Sequence, residues 1–445
     1  MIQSNGEKNM ADTKKLLKLQ QKETDYRHLY ETLSETYEEP SAKEAFMTLA
    51  GKRKERADRL RELTAYDLKA DVSVTENWLR YRKLRNNTAF LKRLAEEERS
   101  AMKEYKALKE EYSSFEALAE NSGKCADLLM RLNGRRYKEE YLPIGRIREY
   151  VMSFVHKGKP VIVYLHGGPG ESVIPFAGFI AKDIDFATMV FYDQRGTGRT
   201  QLKSRTSETA ITFGALLTDL RSTIASLKQK YGCEKVILLG HSWGTVLGTQ
   251  YALRFPEDLY CYIGVGQVVN FMASEKYCLE KAKEAMGTPD KTDQAILDKI
   301  GDYPYSMNHQ NVLRSLIRAR TLEKKYHAAA DTEGIREIMK ESGTFSWQDM
   351  PGMISMKQNM NLMRFLLTCD IAGNTEYKVP VFYILGTKDY QVSSEIASDY
   401  FETIQAPEKK LYWIEDAGHL PNLTKPKEFN EALKEIVQRY EDTAE

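Results

Sequence analysis

The segment that most constrains this chain is Gly240-His241-Ser242-Trp243-Gly244, which directly follows the apolar run Val236–Leu239 and directly precedes the helical pattern Thr245–Phe255. A strand that turns into a helix within so few residues forces the apex residue into strained backbone. Its neighbours two positions away must then lack bulk, and glycine meets that need on both sides. Gly244, Gly248 and Ala252 recur every four residues, a small-residue strip that lets the helix approach a sheet closely. The hydroxyl of Ser242 therefore stands exposed at the end of a buried strand.

A serine hydroxyl is a poor nucleophile near neutral pH; it needs a general base, and the base needs an orienting carboxylate. Asp389, in Leu385-Gly386-Thr387-Lys388-Asp389-Tyr390, and His419, in Asp416-Ala417-Gly418-His419-Leu420, each follow a strand pattern and come after Ser242 in the order serine, acid, histidine. Of seven histidines, only His419 has both the order and the post-strand position. Asp370 and Asp416 stay open as alternatives for the acid. The expected triad is Ser242, Asp389 and His419. Developing negative charge on a substrate carbonyl also needs N–H donors. The backbone N–H of Trp243 supplies one, and Gly167 or Gly168, in His166-Gly167-Gly168-Pro169-Gly170, supplies the other. That loop lacks the Gly-Lys-Ser/Thr ending of a phosphate-cradling loop.

Around these motifs the fold class reads as α/β. Tyr137–Leu142 and Ile147–Val155 form a hairpin pattern with Pro143 and Gly145 at its turn. Further strands are expected at 160–165, 189–192, 236–239, 260–265, 379–385 and 411–414, with helical patterns between them. Such alternation implies a mostly parallel sheet with helices on both faces. Between Gln267 and about Glu376 there is only helical pattern, which reads as a cap inserted over the strands' C-terminal edge, where ligands of open α/β sheets bind. The expected division is a helical extension at 1–122, a first core part at 123–269, the cap at 270–375 and a second core part at 376–445.

The extension, dense in Lys, Arg and Glu, spaces its apolar residues three and four apart. Three helices are expected: one ending before Pro40, one with Ser41 as N-cap running to about Tyr66, and one from about Asn87 to Tyr112. In Lys22-Glu23-Thr24-Asp25-Tyr26 and Glu96-Glu97-Glu98-Arg99 the region resembles the rubrerythrin-like branch of the ferritin-like bundles, which hold iron with Glu and Glu-x-x-His ligands. In Glu55-Arg56-Ala57-Asp58, however, Asp58 stands where the histidine belongs, so neither a metal nor another cofactor is expected. The helices read as an appendage suited to packing or self-association.

Lys plus Arg number 65 against 64 Asp plus Glu, a net charge of +1 that gives no footprint for nucleic acid or an anionic membrane. Five scattered cysteines suggest neither a disulfide framework nor a zinc site. Met1–Leu19 lacks the apolar stretch of a signal peptide, and no run reaches the roughly 18 apolar residues of a spanning helix, so a cytoplasmic protein is expected.

Taken together, His166-Gly167-Gly168-Pro169-Gly170, Asp193-Gln194-Arg195-Gly196-Thr197-Gly198-Arg199-Thr200 and Gly240-His241-Ser242-Trp243-Gly244-Thr245 resemble the proline iminopeptidase family of α/β-hydrolases, over about Tyr137–Tyr440. The resemblance implies an α/β-hydrolase fold and a serine peptidase that releases an N-terminal residue, often proline, from small peptides. It also implies the triad named above, an oxyanion hole at Gly168 and Trp243, and a structural role for Asp193 and Arg195. Family members read the substrate ammonium with cap carboxylates. Glu275, Glu280, Glu284, Asp302, Glu323, Glu337 and Glu341 are all available, and Glu171 follows the glycine-rich loop. Met350, Met353, Met356, Met360 and Met363 fall roughly on one helical face and, with Trp347 and Tyr305, could line an apolar pocket or the cap's own core. The substrate-binding candidates are therefore Glu171, Glu275, Met353 and Trp347. An esterase or other small-molecule acyl hydrolase would use the same triad; a non-catalytic scaffold is the reading from another class. Epoxide hydrolases and dehalogenases use a carboxylate where this chain has Ser242.

Overall fold

The structure, a computed structural model, describes residues 2–37, 40–85, 87–133, 137–326, 334–345 and 357–441. It divides into two compact units, Met1–Arg136 and Tyr137–Glu445.

The first unit consists of helices α1 (Ile2–Thr36), α2 (Pro40–Thr64), α3 (Val72–Leu84), α4 (Asn87–Lys106) and α5 (Phe115–Leu132). Leu29, Tyr30, Leu33, Phe46, Leu49, Phe90, Leu94 and Leu129 close its core. Three expectations are corrected. Ser41 is not the N-cap of α2, because the helix already begins at Pro40, whose fixed φ and missing N–H suit a first position. The irregular interval after Tyr66 holds α3, which Asp71 caps by accepting the Ser73 N–H at 3.0 Å. The break expected after 122 falls inside α5, since Gly123 is helical there, and the unit ends at Arg136.

The interior of this bundle is charged. On α2 the inward pair is Arg53 and Arg56, three apart, while Glu55 and Asp58 are largely exposed. Arg53 donates to Glu23 and Glu98, and so does Arg56, all four contacts at 2.9 Å with every partner essentially inaccessible to solvent. Tyr105 and Tyr30 donate to the same two glutamates at 2.7 and 3.0 Å. The carboxylates that a ferritin-like bundle would offer to a metal are thus bonded to two guanidinium groups, where that architecture has Glu-x-x-His. Burial works to raise the Glu23 pKa, but the two arginines outweigh it and hold it below the usual carboxylate range.

The second unit is built on one eight-stranded sheet: β1 (Tyr137–Ile144), β2 (Ile147–Phe154), β3 (Val161–Leu165), β4 (Thr188–Tyr192), β5 (Val236–His241), β6 (Leu259–Val265), β7 (Val381–Gly386) and β8 (Lys409–Ile414). The spatial order is β1-β2-β4-β3-β5-β6-β7-β8; β1/β2 and β2/β4 pair antiparallel and the rest parallel. Every residue of β3, β4 and β5 is buried, as expected of strands covered on both faces. Successive residues point to opposite faces. Val161, Val163 and Leu165 accordingly join one core with Trp243, Leu247 and Tyr251, while Ile162 and Tyr164 join the other with Ile174, Phe429 and Leu433. The stretch between β6 and β7 supplies the helices Phe271–Met286, Lys291–Ile300, Val312–Tyr326, Ile335–Glu341 and Met360–Leu366. Among the described residues no helix is long and apolar enough to cross a membrane.

Candidate active site

Ser242 sits between β5 and the helix Trp243–Arg254 with φ +54° and ψ −122°, a strained conformation for a residue with a Cβ. The surroundings enforce it. The Ser242 N–H donates to the Val265 carbonyl at 3.0 Å, which ties the turn to the end of β6. A Cβ on Gly240 would lie 2.6 Å from the Gly244 carbonyl oxygen, and one on Gly244 would lie 2.2 Å from that of Leu165. No side chain fits at either place without moving backbone, so the glycines that frame the serine are steric requirements of the turn.

Asp389 and His419, on the loops after β7 and β8, meet at this point: His419 Nδ1 and Asp389 Oδ2 are 2.8 Å apart and both residues are buried. The other Asp389 oxygen accepts the N–H groups of Gln391 and Val392, each at 2.9 Å, so the carboxylate cannot rotate away from the ring. Of the two other acids weighed for this place, Asp370 accepts from Asn270 at the start of the cap, and Asp416 pairs with Lys388 at 2.7 Å. Ser242, Trp243, Gly167, Gly168 and His419 line one cavity of about 670 Å³. Gly167 packs on the serine, since a Cβ there would be 3.3 Å from that of Ser242; Gly168 has φ +114°.

The same cavity gathers acids. Glu171, an exposed residue, lines it near His419; desolvation of its carboxyl raises its pKa while the histidine opposes the rise. Glu275, on the helix Phe271–Met286, is buried and accepts from Tyr303 and Arg320. Arg320, on the helix Val312–Tyr326, also donates to Glu323 Oε2 and, at 3.1 Å, to the Gln391 carbonyl, which links that helix to the loop that carries Asp389. Glu323 is 1% exposed, and its Oε1 has no partner among the described residues. Burial pushes the Glu323 carboxyl up to about 7, against the pull of Arg320 and with a further push from Glu275. Lys324 and Lys388 stand at the exposed rim. Phe176, Ile180, Phe271, Leu316, Met363 and Leu366 are among the apolar side chains of the remaining wall. Met353 and Trp347 lie outside the described residues, as do Met350 and Met356. Met363 reaches the cavity, and Tyr305 is 61% exposed.

Residues 160–426 match the alpha/beta hydrolase fold family, well over half of the chain. This chain belongs to that family. Among curated relatives, the hydrolase is 26% identical over 308 residues to a probable aminopeptidase of Bacillus subtilis, YbaC, with 67% of this chain and 96% of the relative covered. It is also 26% identical over 317 residues to a proline iminopeptidase of Saccharolobus solfataricus, covering 68% and 93%. Among solved structures, the proline iminopeptidase of Mycobacterium smegmatis superposes with a TM-score of 0.51 at 18% identity, covering 69% of this chain and all of that one.

Several residues that shape the site of this hydrolase escaped the sequence reading. Gln194 braces the turn and the glycine-rich loop together: its side chain accepts from Trp243 Nε1 at 3.1 Å and donates to the His166 carbonyl at 3.2 Å. Its N–H donates to His166 Nε2 at 3.0 Å. Burial lowers the pKa of His166 to about 4, so that ring is a neutral acceptor. His241 donates to the His419 carbonyl at 2.8 Å; burial first, and the neighbouring His419 second, lower its pKa to about 3. Gly266, with φ +55°, leaves room for the Asp389–His419 pair, since a Cβ there would be 3.0 Å from the His419 ring. For Asp193 and Arg195, by contrast, a structural role was expected: Arg195 clasps Asp219 with two bonds of 2.6 and 2.7 Å, and Asp193 accepts from Ser172 and the Arg199 N–H.

Proposed function

We propose that this hydrolase is a serine aminopeptidase of the proline iminopeptidase type, which forms an acyl-enzyme on Ser242 and releases the N-terminal residue of small peptides. The observation that carries the reading is the charge of the cavity interior: the buried Glu275 and Glu323 share one guanidinium, Arg320, Glu323 Oε1 is left unpartnered among the described residues, and Glu171 lines the same cavity. Buried charge without a partner is costly, and a substrate ammonium is the cation that would complete this set. The names of the two curated relatives support the same reading. In the proposed reaction, Ser242 Oγ attacks the carbonyl carbon next to the ammonium while His419 takes its proton, held by Asp389. The Trp243 and Gly168 N–H groups receive the oxyanion. Collapse breaks the C–N bond as His419 returns the proton to the leaving amine. Water, deprotonated by the same histidine, then releases the amino acid.

Glu323 gives this reading a pH signature. The acid must be ionised to attract an ammonium, and its pKa is raised, so it takes up its proton at a higher pH than an ordinary carboxyl. In the wild type, kcat/KM for a free aminoacyl arylamide is expected to fall as pH drops below about 7. Glu323→Gln is expected to raise KM roughly tenfold with a smaller change in kcat, and to lose the limb that Glu323 sets. Glu275, Arg320 and Tyr303, which surround it, stay in place in that variant. An identical pH profile and KM in Glu323→Gln would exclude it as the amine reader.

A further inference from the structure

The cavity holds one polar pair that neither the triad nor the carboxylates engage. Tyr164 of β3 and Asn422, three residues past His419, both line it and are only 1% and 3% exposed. Asn422 Nδ2 donates to Tyr164 Oη at 3.0 Å. Among the described residues, Asn422 Oδ1 has no hydrogen-bond partner, and the Tyr164 hydroxyl has no protein acceptor for its own proton. A phenol and a side-chain amide joined in this way keep the phenol proton and the second amide N–H as donors, and the amide oxygen as an acceptor, unspent. Buried groups of that kind are ordinarily satisfied. In a cavity that admits substrate, one donor beside one acceptor is the complement of a peptide group.

Its position decides which peptide group. Tyr164 faces the side of the sheet shared with Ile174, Ile180 and Leu423, whereas Trp243, Phe271, Leu316 and Met363 belong to the opposite core, together with the helices that carry Glu275 and Glu323. Ser242 lies between, just past the end of β5, whose Leu239 is the register partner of Tyr164. A substrate with its amine at the acids and its carbonyl over Ser242 sends its leaving group towards Tyr164 and Asn422. We propose that these two residues form the leaving-group subsite, taking the N–H and C=O of the peptide group that follows the scissile bond. Preferred substrates are then peptides of three or more residues rather than dipeptides or simple amides. This rests on the aminopeptidase reading above.

The test uses a free tripeptide, the same tripeptide N-methylated at its second peptide bond, and an N-blocked tripeptide, each with the wild type, Asn422→Leu and Tyr164→Phe. Tyr164→Phe removes only a hydroxyl and guards against misfolding of the other variant. In the wild type, methylation is expected to lower kcat/KM on the order of tenfold, mostly through KM, and in Asn422→Leu to cost little. Tyr164→Phe is expected to lower kcat/KM for the free tripeptide and to lessen the cost of methylation. If free amines are required but methylation costs the same in all three proteins, the subsite is overturned and the aminopeptidase reading stands. If the blocked tripeptide is cleaved as fast as the free one, the aminopeptidase reading fails and the subsite falls with it.

Discussion

Ser242→Ala is expected to lower kcat by roughly 10⁴- to 10⁶-fold on every substrate the wild type turns over, about 5 to 8 kcal/mol of barrier. The serine is the covalent nucleophile of the proposed mechanism, and the adjacent N–H donors cannot form an ester in its place. Alanine keeps the Cβ, so the strained turn at φ +54° is no worse served, and the bond from residue 242 N–H to Val265 remains. The unfolding temperature should therefore change little. Stopped-assay rates together with a thermal melt check both halves of the expectation. A variant that retains full activity would remove Ser242 from the mechanism.

The second large effect concerns the helical unit. Arg56 holds the buried Glu23 and Glu98 at 2.9 Å and the half-buried Asn121 at 2.7 Å. Arg56→Met strands carboxylate charge that Arg53 alone cannot neutralise, and breaking one partner out of a buried ion network typically costs about 3–5 kcal/mol. Replacing all four charges together, with Glu23→Leu, Glu98→Leu, Arg53→Met and Arg56→Met, removes the desolvation cost along with the attraction. The fourfold variant is expected to be far more stable than the single one, near the wild type or above it. Denaturant unfolding of the three proteins reads this directly; equal loss in the single and fourfold variants would mean that the residues serve packing rather than charge balance. The sign with pH follows from Glu23. Its pKa is lowered in the folded state, so its contribution is present above the ordinary carboxylate pKa and is lost as the pH falls through the acid range.

The sheet was legible in the sequence because its central strands are short apolar runs closed by glycine or a charged turn, and all eight expected strands are present. The serine turn was legible for a steric reason: Gly240 and Gly244 sit where any side chain would collide with backbone. The pairing of Asp389 with His419 followed from order and post-strand position, although sequence alone left Asp370 and Asp416 in contention. Their own partners, Asn270 and Lys388, are visible only in space.

What the sequence hid was mostly long-range or charged. The boundary was set at 122/123, where short β-rich runs begin to replace the helical pattern, yet α5 runs through Gly123 beside Met102. The bundle's inward face on α2 was not legible: Arg53 and Arg56, which composition marks as surface residues, are its centre, while Glu55 and Asp58 look outward. Glu323 could not be told from the other acids between β6 and β7, since what distinguishes it is Arg320 one turn earlier on its helix and a buried oxygen without a partner among the described residues. Gln194 stood in a motif that gave it no role of its own, and Asn422 carried no local signal; each matters through a partner more than 25 residues away.

The most direct measurement is the turnover of Pro-, Ala- and Leu-arylamides with a free amine beside an N-blocked Pro-arylamide and short p-nitrophenyl esters. The account predicts that the free amides are cleaved and that blocking the amine lowers kcat/KM on the order of a hundredfold or more, because the cavity acids then bind no cation. Equal turnover of blocked and free amides, or cleavage of the esters alone, would contradict it.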